Sequence, residues 1–538
     1  MTTTDVLIVG GGPVGLALAL DLARRGVDFR LVEAGDGVVH HPRVGSVGIR
    51  SMELMRRWGV AEPVRKAGWP ADHPLDGAWV TSVGGHEIHR VQMGTVETRP
   101  PSPHSPEQEA ICPQHQLMPI LRGALADRVP GGVQLGHRME SARSFPDRVE
   151  ATVTDLATAT AYPVTARWLV AADGAGSAVR KNLGIPAPAR HEPKVFRNIL
   201  FRAPELRERL GDRTALFWFL MSPPALRFPM RAIDGHGLYR LTVGVTEGEP
   251  ELPSAQMVGT AVSVDTPLEV LSDDRWHLTH RVAERLRDGR ALLLGDAAHT
   301  LSPSGGFGMN TGIAAAANLG WKLAAELAGW AGPGLLDSYD MECRAIAVRS
   351  LEEANRNLRR TLDRTLPSEL AADSAAGRAV RATMAEGLRR SGVEREFYSV
   401  WVHLGTRYRS PVVVDDGTPD PPSDPGGWSP SAAPGCRAPH VDLGGGNSTI
   451  DLFGDGYWLV VPTDGGDDNA VAGAEKLAAA FAERAIPFGI SRLSEPGVRA
   501  AYGQPLVLVR PDGHVAWRGA TVPDDPGALV DAVRGGAR

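Results

Sequence analysis

Residues 6–33 constrain the fold of this chain more than any other stretch. They read VLIV, GGGPVG, LALALDLARRG and VDFRLVE. A short apolar run, a glycine turn, an apolar pattern at helical spacing and a second apolar run make a strand–turn–helix–strand unit, the opening of an α/β fold. Gly10, Gly12 and Gly15 fit the spacing G-x-G-x-x-G. The first glycine allows the tight turn, the second lets backbone approach a pyrophosphate, and the third lets helix pack on strand, with the helix N-terminus facing the phosphate charge. Glu33 ends the second run, where a carboxylate can accept hydrogen bonds from a ribose diol. Glycine-rich turns are common on their own. Strand, helix, second strand and acid in register make this one a dinucleotide site, with the acid favouring an unphosphorylated ribose (FAD or NAD over NADP).

The rest of the chain is organised around that unit. At roughly 100–200 residues per domain, 538 residues suggest two to four domains. A net charge of -6 argues against nucleic acid as a main partner and gives no basic face for a membrane surface. Cys112, Cys343 and Cys436 lie far apart, with no CxxC or metal-like spacing, so we expect a reducing cytoplasm, no disulfide framework and no metal. No apolar run approaches the roughly 18 residues of a membrane span, and a signal peptide is not expected ahead of the first strand. Residues 76–104 and 191–280 alternate apolar and polar residues between Pro and Gly turns, as an antiparallel sheet inserted into the first domain. Residues 338–400 are charged and helical. Residues 418–435 are rich in Pro, Gly and Ser, and beyond them strands alternate with an Ala-rich helix as a small α/β domain.

Two later motifs narrow the cofactor. Residues 173–180 read DGAGSAVR after the strand-like ARWLVA, and residues 295–312 read GDAAHTLSPSGGFGMNTG after ALLL. The second leaves three readings open on residue types alone: an Asp296–His299 acid–base pair, a metal site, or a loop shaped to hold something flat and anionic. Glycines there let N–H groups approach a planar ring, and the helix that follows aims its positive end at the same place. Taken together as GxGxxG, DGxxSxxR and GDAAHxxxPxxGxGxN, the three motifs resemble the single-component FAD-dependent aromatic hydroxylases over roughly residues 5–330, and most closely their phenol- and dichlorophenol-monooxygenase branch with the related natural-product hydroxylases.

The resemblance implies a fold and a set of roles. The fold is a Rossmann-like FAD-binding domain of the para-hydroxybenzoate hydroxylase type (1–75, 105–190 and 281–400), an inserted antiparallel-sheet substrate domain (76–104 and 191–280), a linker (401–435) and a thioredoxin-like α/β domain without CxxC (436–538). Gly10, Gly12, Pro13, Val14 and Gly15 would face the pyrophosphate, and Glu33 the adenosine ribose. Arg43 would lie along the cofactor and Gln114 would contact its ribityl or flavin region. Asp173 would stand near the pyrophosphate, with Arg180 as a support. Asp296 would bond the ribityl hydroxyls, and the backbone at Gly306, Gly308, Met309 and Asn310 would meet the flavin's pyrimidine edge, leaving His299 to fix the loop. Pro303 would lie beside the reacting edge. Trp218, Phe228, Met230 and Tyr239 are candidate substrate contacts, with ordinary sheet core as the alternative for each. Three positions depart from the family pattern: Ala315 and Met118 replace acids, and Gly45 stands where some relatives carry the acid that takes a phenol proton.

The implied reaction is NAD(P)H- and O2-dependent hydroxylation of a phenol-like or hydroxy-heteroaromatic small molecule, through a flavin C4a-hydroperoxide. Epoxidation, Baeyer–Villiger oxidation or antibiotic inactivation would use the same flavin framework, and a non-catalytic flavin protein is the alternative from another class. A cytoplasmic homo-oligomer is expected. Because the C-terminal domain lacks a redox pair, its expected role is structural, and deleting 418–538 would harm solubility or assembly before flavin binding.

Overall fold

A computed structural model describes residues 2–42, 45–221, 229–245, 248, 251–362, 366–398, 400–422, 424, 426–463 and 468–536. Its first sheet is built on the opening unit. Strand Thr2–Val9 pairs in parallel with Phe29–Glu33 on one side and with Thr160–Ala171 on the other, and Ala291–Leu293 and Val133–Leu135 extend the parallel run outward. A hairpin, His137–Ser144 and Val149–Asp155, runs antiparallel off Thr160–Ala171. Val6, Leu7 and Ile8 are fully buried, as expected of a parallel strand covered on both faces. Helices Pro13–Arg24 and Phe307–Leu327 pack beside each other in the same core.

The second sheet has seven strands in the order Glu269–Leu278, Lys194–Arg202, Leu238–Gly244, Pro229–Ala232, Phe217–Leu220, Gly77–Val80, Glu87–Val91. All neighbours are antiparallel except Phe217–Leu220 with Gly77–Val80. A two-residue ladder, Ser46–Val47 with Ala110–Ile111, lies between the two sheets in sequence and brings Glu109 to Ser46.

The C-terminal α/β domain is a four-stranded sheet, Phe488–Leu493, Tyr457–Pro462, Leu506–Val509, Val515–Gly519, with helices Asp468–Ala482 and Pro526–Val533 against it. Residues 401–435, expected as a linker, are not a free one: Trp401, Tyr408, Val412 and Ala433 are buried, and Val412 belongs to the same core as Leu459 and Leu508.

The turn at 510–514 joins this domain to the rest through buried charges. Arg510 donates to Glu342 at 2.6 and 3.0 Å and to Asp512 at 2.6 Å. Glu342 also takes Lys322 at 2.8 Å, Asn318 at 2.7 Å and the Ser410 hydroxyl at 2.6 Å. Arg50 donates to the carbonyl of Asp512 at 2.5 Å and to Glu53, which is also bound by Arg437. Arg510 and Lys322 hold the Glu342 carboxyl down to about 2 against the opposing effect of burial.

Candidate active site

The three motifs leave the same edge of the first sheet, because the strands that precede them run parallel and end together at Val9, Glu33, Ala171 and Leu293. Ligands of open α/β sheets bind outside such carboxyl ends. The Gly10 amide donates to Val32 at 2.8 Å, and its Cα lies so close to the Ala172 carbonyl that no side chain would fit. Val14 packs between Gly295 and Gly312: a methyl group on either would come within 3.2 or 2.6 Å of it. Segments 162 to 298 residues apart in sequence are thereby locked around one cleft.

The acids in the cleft differ in how they are engaged. Glu33 accepts from the amides of Gly11 (2.6 Å) and Gly35 (2.7 Å), which leaves a second lone pair on each oxygen. Asp173 accepts from Ser177 Oγ (2.6 Å) and the Val179 amide (3.1 Å), so its carboxylate caps helix Ala178–Asn182. Arg180 bonds the Ile185 carbonyl at 2.8 Å and leaves Asp173 alone. Asp296 has no hydrogen-bond partner among the described residues. His299 is buried with Nδ1 unbonded; burial pushes its imidazole below the usual value, with the Asp296 charge opposing. No hydrogen bond joins the two, so an acid–base pair is not built here. His299 fixes the loop through its main chain, paired with Val282.

Two helices present N-termini without side-chain caps to this cleft, one capped by Gly12 and the other by Gly306. Their first-turn N–H groups have no acceptor in their own helices and carry the positive end of the dipole. Nothing lies within 4 Å of where a side chain would stand on Gly12 or Gly308. Asn310 is differently occupied: its side chain accepts from the Gly48 amide (2.8 Å) and Ser51 Oγ (2.7 Å) and donates to the carbonyls of Ser46 (2.9 Å) and Gly306 (2.8 Å). It ties helix Ile49–Arg57 to the loop and leaves only its backbone for a ligand. Met309 packs partly against the core, and Gln114 opens helix Gln114–Arg128. Arg43 lies outside the described residues. Open space over two glycines, two uncapped helix N-termini and an unengaged Asp296 fit a long dinucleotide with an anionic middle, as FAD is.

Past Pro303–Gly306 the cleft opens into a cavity. Its roof is the second sheet, and strand parity decides which residues form it. Phe217 pairs with Arg231, and Arg231 with Arg240; all three line the cavity, as do Phe219 and Trp276. Trp218 pairs with Met230 on the opposite face, where Tyr239 also lies. Trp218, Met230 and Tyr239, named as substrate candidates from sequence, are therefore core residues, at most 1 % exposed. Successive side chains of a strand point to opposite faces, and the cavity takes their neighbours. Phe228 lies outside the described residues.

The cavity holds ionisable groups that sequence reasoning missed. The Arg231 guanidinium sits 4.6 Å from the Phe217 ring centroid. Burial, with the charge of Arg240 beside it, pushes it well below its usual range, Glu396 opposing. Burial raises Glu396 to about 7, against the Gly305 amide and the charges of Arg360 and Arg231. Burial also raises Glu109, against the Ser46 hydroxyl and Arg99. Gly45 carries no acid for a steric reason: its Cα abuts the Cys112 carbonyl, while the Cys112 amide donates to its own carbonyl at 2.8 Å.

Residues 3–354 match the FAD binding domain family, and residues 431–535 match the aromatic-ring hydroxylase C-terminal domain. The chain belongs to the FAD-dependent aromatic-ring hydroxylases. As a monooxygenase of that family it uses FAD, dioxygen and a reduced nicotinamide. This hydroxylase is 32 % identical to tetracenomycin A2 monooxygenase-dioxygenase of Streptomyces glaucescens, over 98 % of this chain and 95 % of that one. It is 56 % identical, with a TM-score of 0.95 and all of both chains covered, to RebC soaked with chromopyrrolic acid and holding 7-carboxy-K252c. RebC, a rebeccamycin biosynthetic enzyme, is also known with reduced flavin and soaked with K252c. A ternary complex of aklavinone-11 hydroxylase with FAD and aklavinone is 30 % identical, with 98 % of both chains covered and a TM-score of 0.81. Among the described residues of the hydroxylase, no helix is long and apolar enough to cross a membrane, and no group of three or more His, Cys, Asp or Glu could hold a metal.

Proposed function

We propose that this hydroxylase oxidises an aromatic acid of the kind RebC holds, 7-carboxy-K252c, and that the Phe217–Arg231–Arg240 ladder recognises the acid group. One observation carries the reading. Arg231 and Arg240 stand directly opposite each other on one sheet face, a pairing that repels, inside a cavity walled by Phe217, Phe219 and Trp276. A ligand carboxylate would neutralise that repulsion through charge-assisted, fork-shaped hydrogen bonds, while the aromatic walls hold its rings and exclude water.

Bound FAD supplies electron transfer and oxygen activation; the chain positions both partners. In this reading Gly10, Gly12, Pro13, Val14 and Gly15 take the pyrophosphate at the first helix, and Glu33 takes the ribose. Asp296 and Gln114 take the ribityl chain, and the amides of Gly306, Gly308, Met309 and Asn310 face the ring's anionic edge. Asp173 acts through the turn at Gly10, and Pro303 stands where the cofactor cleft meets the substrate cavity. The division into FAD-binding (1–75, 105–190, 281–400), substrate (76–104, 191–280) and C-terminal (436–538) units follows the same reading. Three buried, unpaired cysteines suit a reducing cytoplasm.

Titration of the FAD-loaded protein with 7-carboxy-K252c and with K252c tests the proposal. The acid should bind about tenfold or more tightly than K252c, and Arg231→Met should erase the difference. Equal affinities in the unmodified protein would sink it.

A further inference from the structure

Glu396 lies where the substrate cavity meets the flavin loop. It ends the turn Val393–Glu396 and lines the cavity together with Gly305. Its neighbours hold it in place. Arg395 donates to Glu353 at 2.9 Å, and the Phe397 ring packs edge-on to Trp79 and Phe219 at centroid distances of 6.0 and 6.1 Å. The charges facing it are Arg231, from strand Pro229–Ala232, and Arg360, from helix Asp337–Leu362. Arg240, Arg99 and Glu109 line the same cavity.

We propose that Glu396 is ionised while the cavity is empty, its charge favoured by the arginines that share the cavity, and that it takes up a proton when a substrate carboxylate docks on Arg231 and Arg240. This rests on the cavity being the substrate site. The balance is simple. One carboxylate arrives, one proton leaves solvent for a Glu396 oxygen, and no other bond is made or broken. The incoming charge takes over Arg231, so the arginine no longer favours an ionised Glu396, and two neighbouring carboxylates cannot both stay charged in so enclosed a site. Protonated, Glu396 gains an O–H donor to offer the bound acid. Burial already raises Glu396 to about 7, so the exchange falls near neutrality. Glu109 is the competing carboxyl, but the Ser46 hydroxyl already donates to it and Arg99 lies beside it.

Calorimetric titration of the FAD-loaded full chain with 7-carboxy-K252c, in buffers of different ionisation heat, reads the proton directly. At about pH 8 binding should take up close to one proton, and at about pH 6, where Glu396 is already protonated, close to none. Uptake should vanish in Glu396→Gln, persist in Glu109→Gln, and be absent with K252c. Arg231-dependent binding of the acid without uptake at about pH 8 overturns this proposal and leaves the substrate reading standing. Uptake that survives Glu396→Gln, or disappears in Glu109→Gln, overturns the assignment to Glu396. Failure of the acid to bind overturns both. The comparison of the two ligands on the unmodified protein decides whether docking of the acid draws in a proton even where a variant folds poorly.

Discussion

Asp173 and Asp296 look alike in the sequence, each at a strand end and each beside a glycine, and the fold gives them opposite tasks. Asp173 spends its oxygens on Ser177 and Val179, so its effect on a cofactor passes through the turn it braces. Asp296 keeps its oxygens for whatever enters the cleft. Asp296→Ala should therefore weaken FAD binding about 10- to 100-fold, the worth of roughly 1.5–3 kcal/mol for a hydrogen bond to a charged group. Reconstitution of the apoprotein measures it, and unchanged affinity would contradict the role. The same scale explains the missing acid at position 45. Residue type shows that no carboxylate is there; only the packing shows why, since a Cβ would enter the Cys112 carbonyl. It also shows where acids did find room, at Glu109 and Glu396.

At the level of strands and helices, the cofactor half was readable and the substrate half was not. Glycines at fixed spacing after apolar runs report a strand–turn–helix, because only glycine tolerates the approaches seen at Gly10 against Ala172. The run Phe217–Leu220, by contrast, is apolar at every position, so period-two alternation is invisible and its two faces look the same. Register with Pro229–Ala232 and Leu238–Gly244, a long-range property, put Trp218, Met230 and Tyr239 inside and Arg231 and Arg240 in the cavity. Glu396 sits in the charged run GVEREF, which carries no pattern of its own. The two faces can be told apart by experiment. Trp218→Ala should lower stability by about 3–5 kcal/mol. Phe217→Ala, one residue earlier, should cost about 1 kcal/mol of stability, the worth of a cation–π contact, and show its main effect as weaker binding of 7-carboxy-K252c. Denaturant unfolding and ligand titration on the pair would expose the reverse assignment if it held.

Across the whole molecule, the C-terminal domain is more than an attachment. Asn318 and Lys322 lie on helix Phe307–Leu327, which starts at the proposed flavin-edge loop, and both meet Glu342, which Arg510 and Ser410 also bind. Arg50, two residues past the Gly48 amide that binds Asn310, reaches the Asp512 carbonyl. Breaking such a buried ion set costs about 3–5 kcal/mol, because it strands charges in a dry interior. Deleting 418–538 should therefore strip FAD from the protein, contrary to the expectation from sequence that solubility or assembly would fail first. Flavin content of the purified truncated chain measures this, and native FAD affinity in a folded fragment would refute it. Residues 510–514 are also made long after the glycine motifs have left the ribosome. A nascent chain can thus display a complete nucleotide fingerprint while lacking the charges that seat the helix behind it. If the truncated chain loses FAD as predicted, flavin capture must wait until translation has run past Asp512.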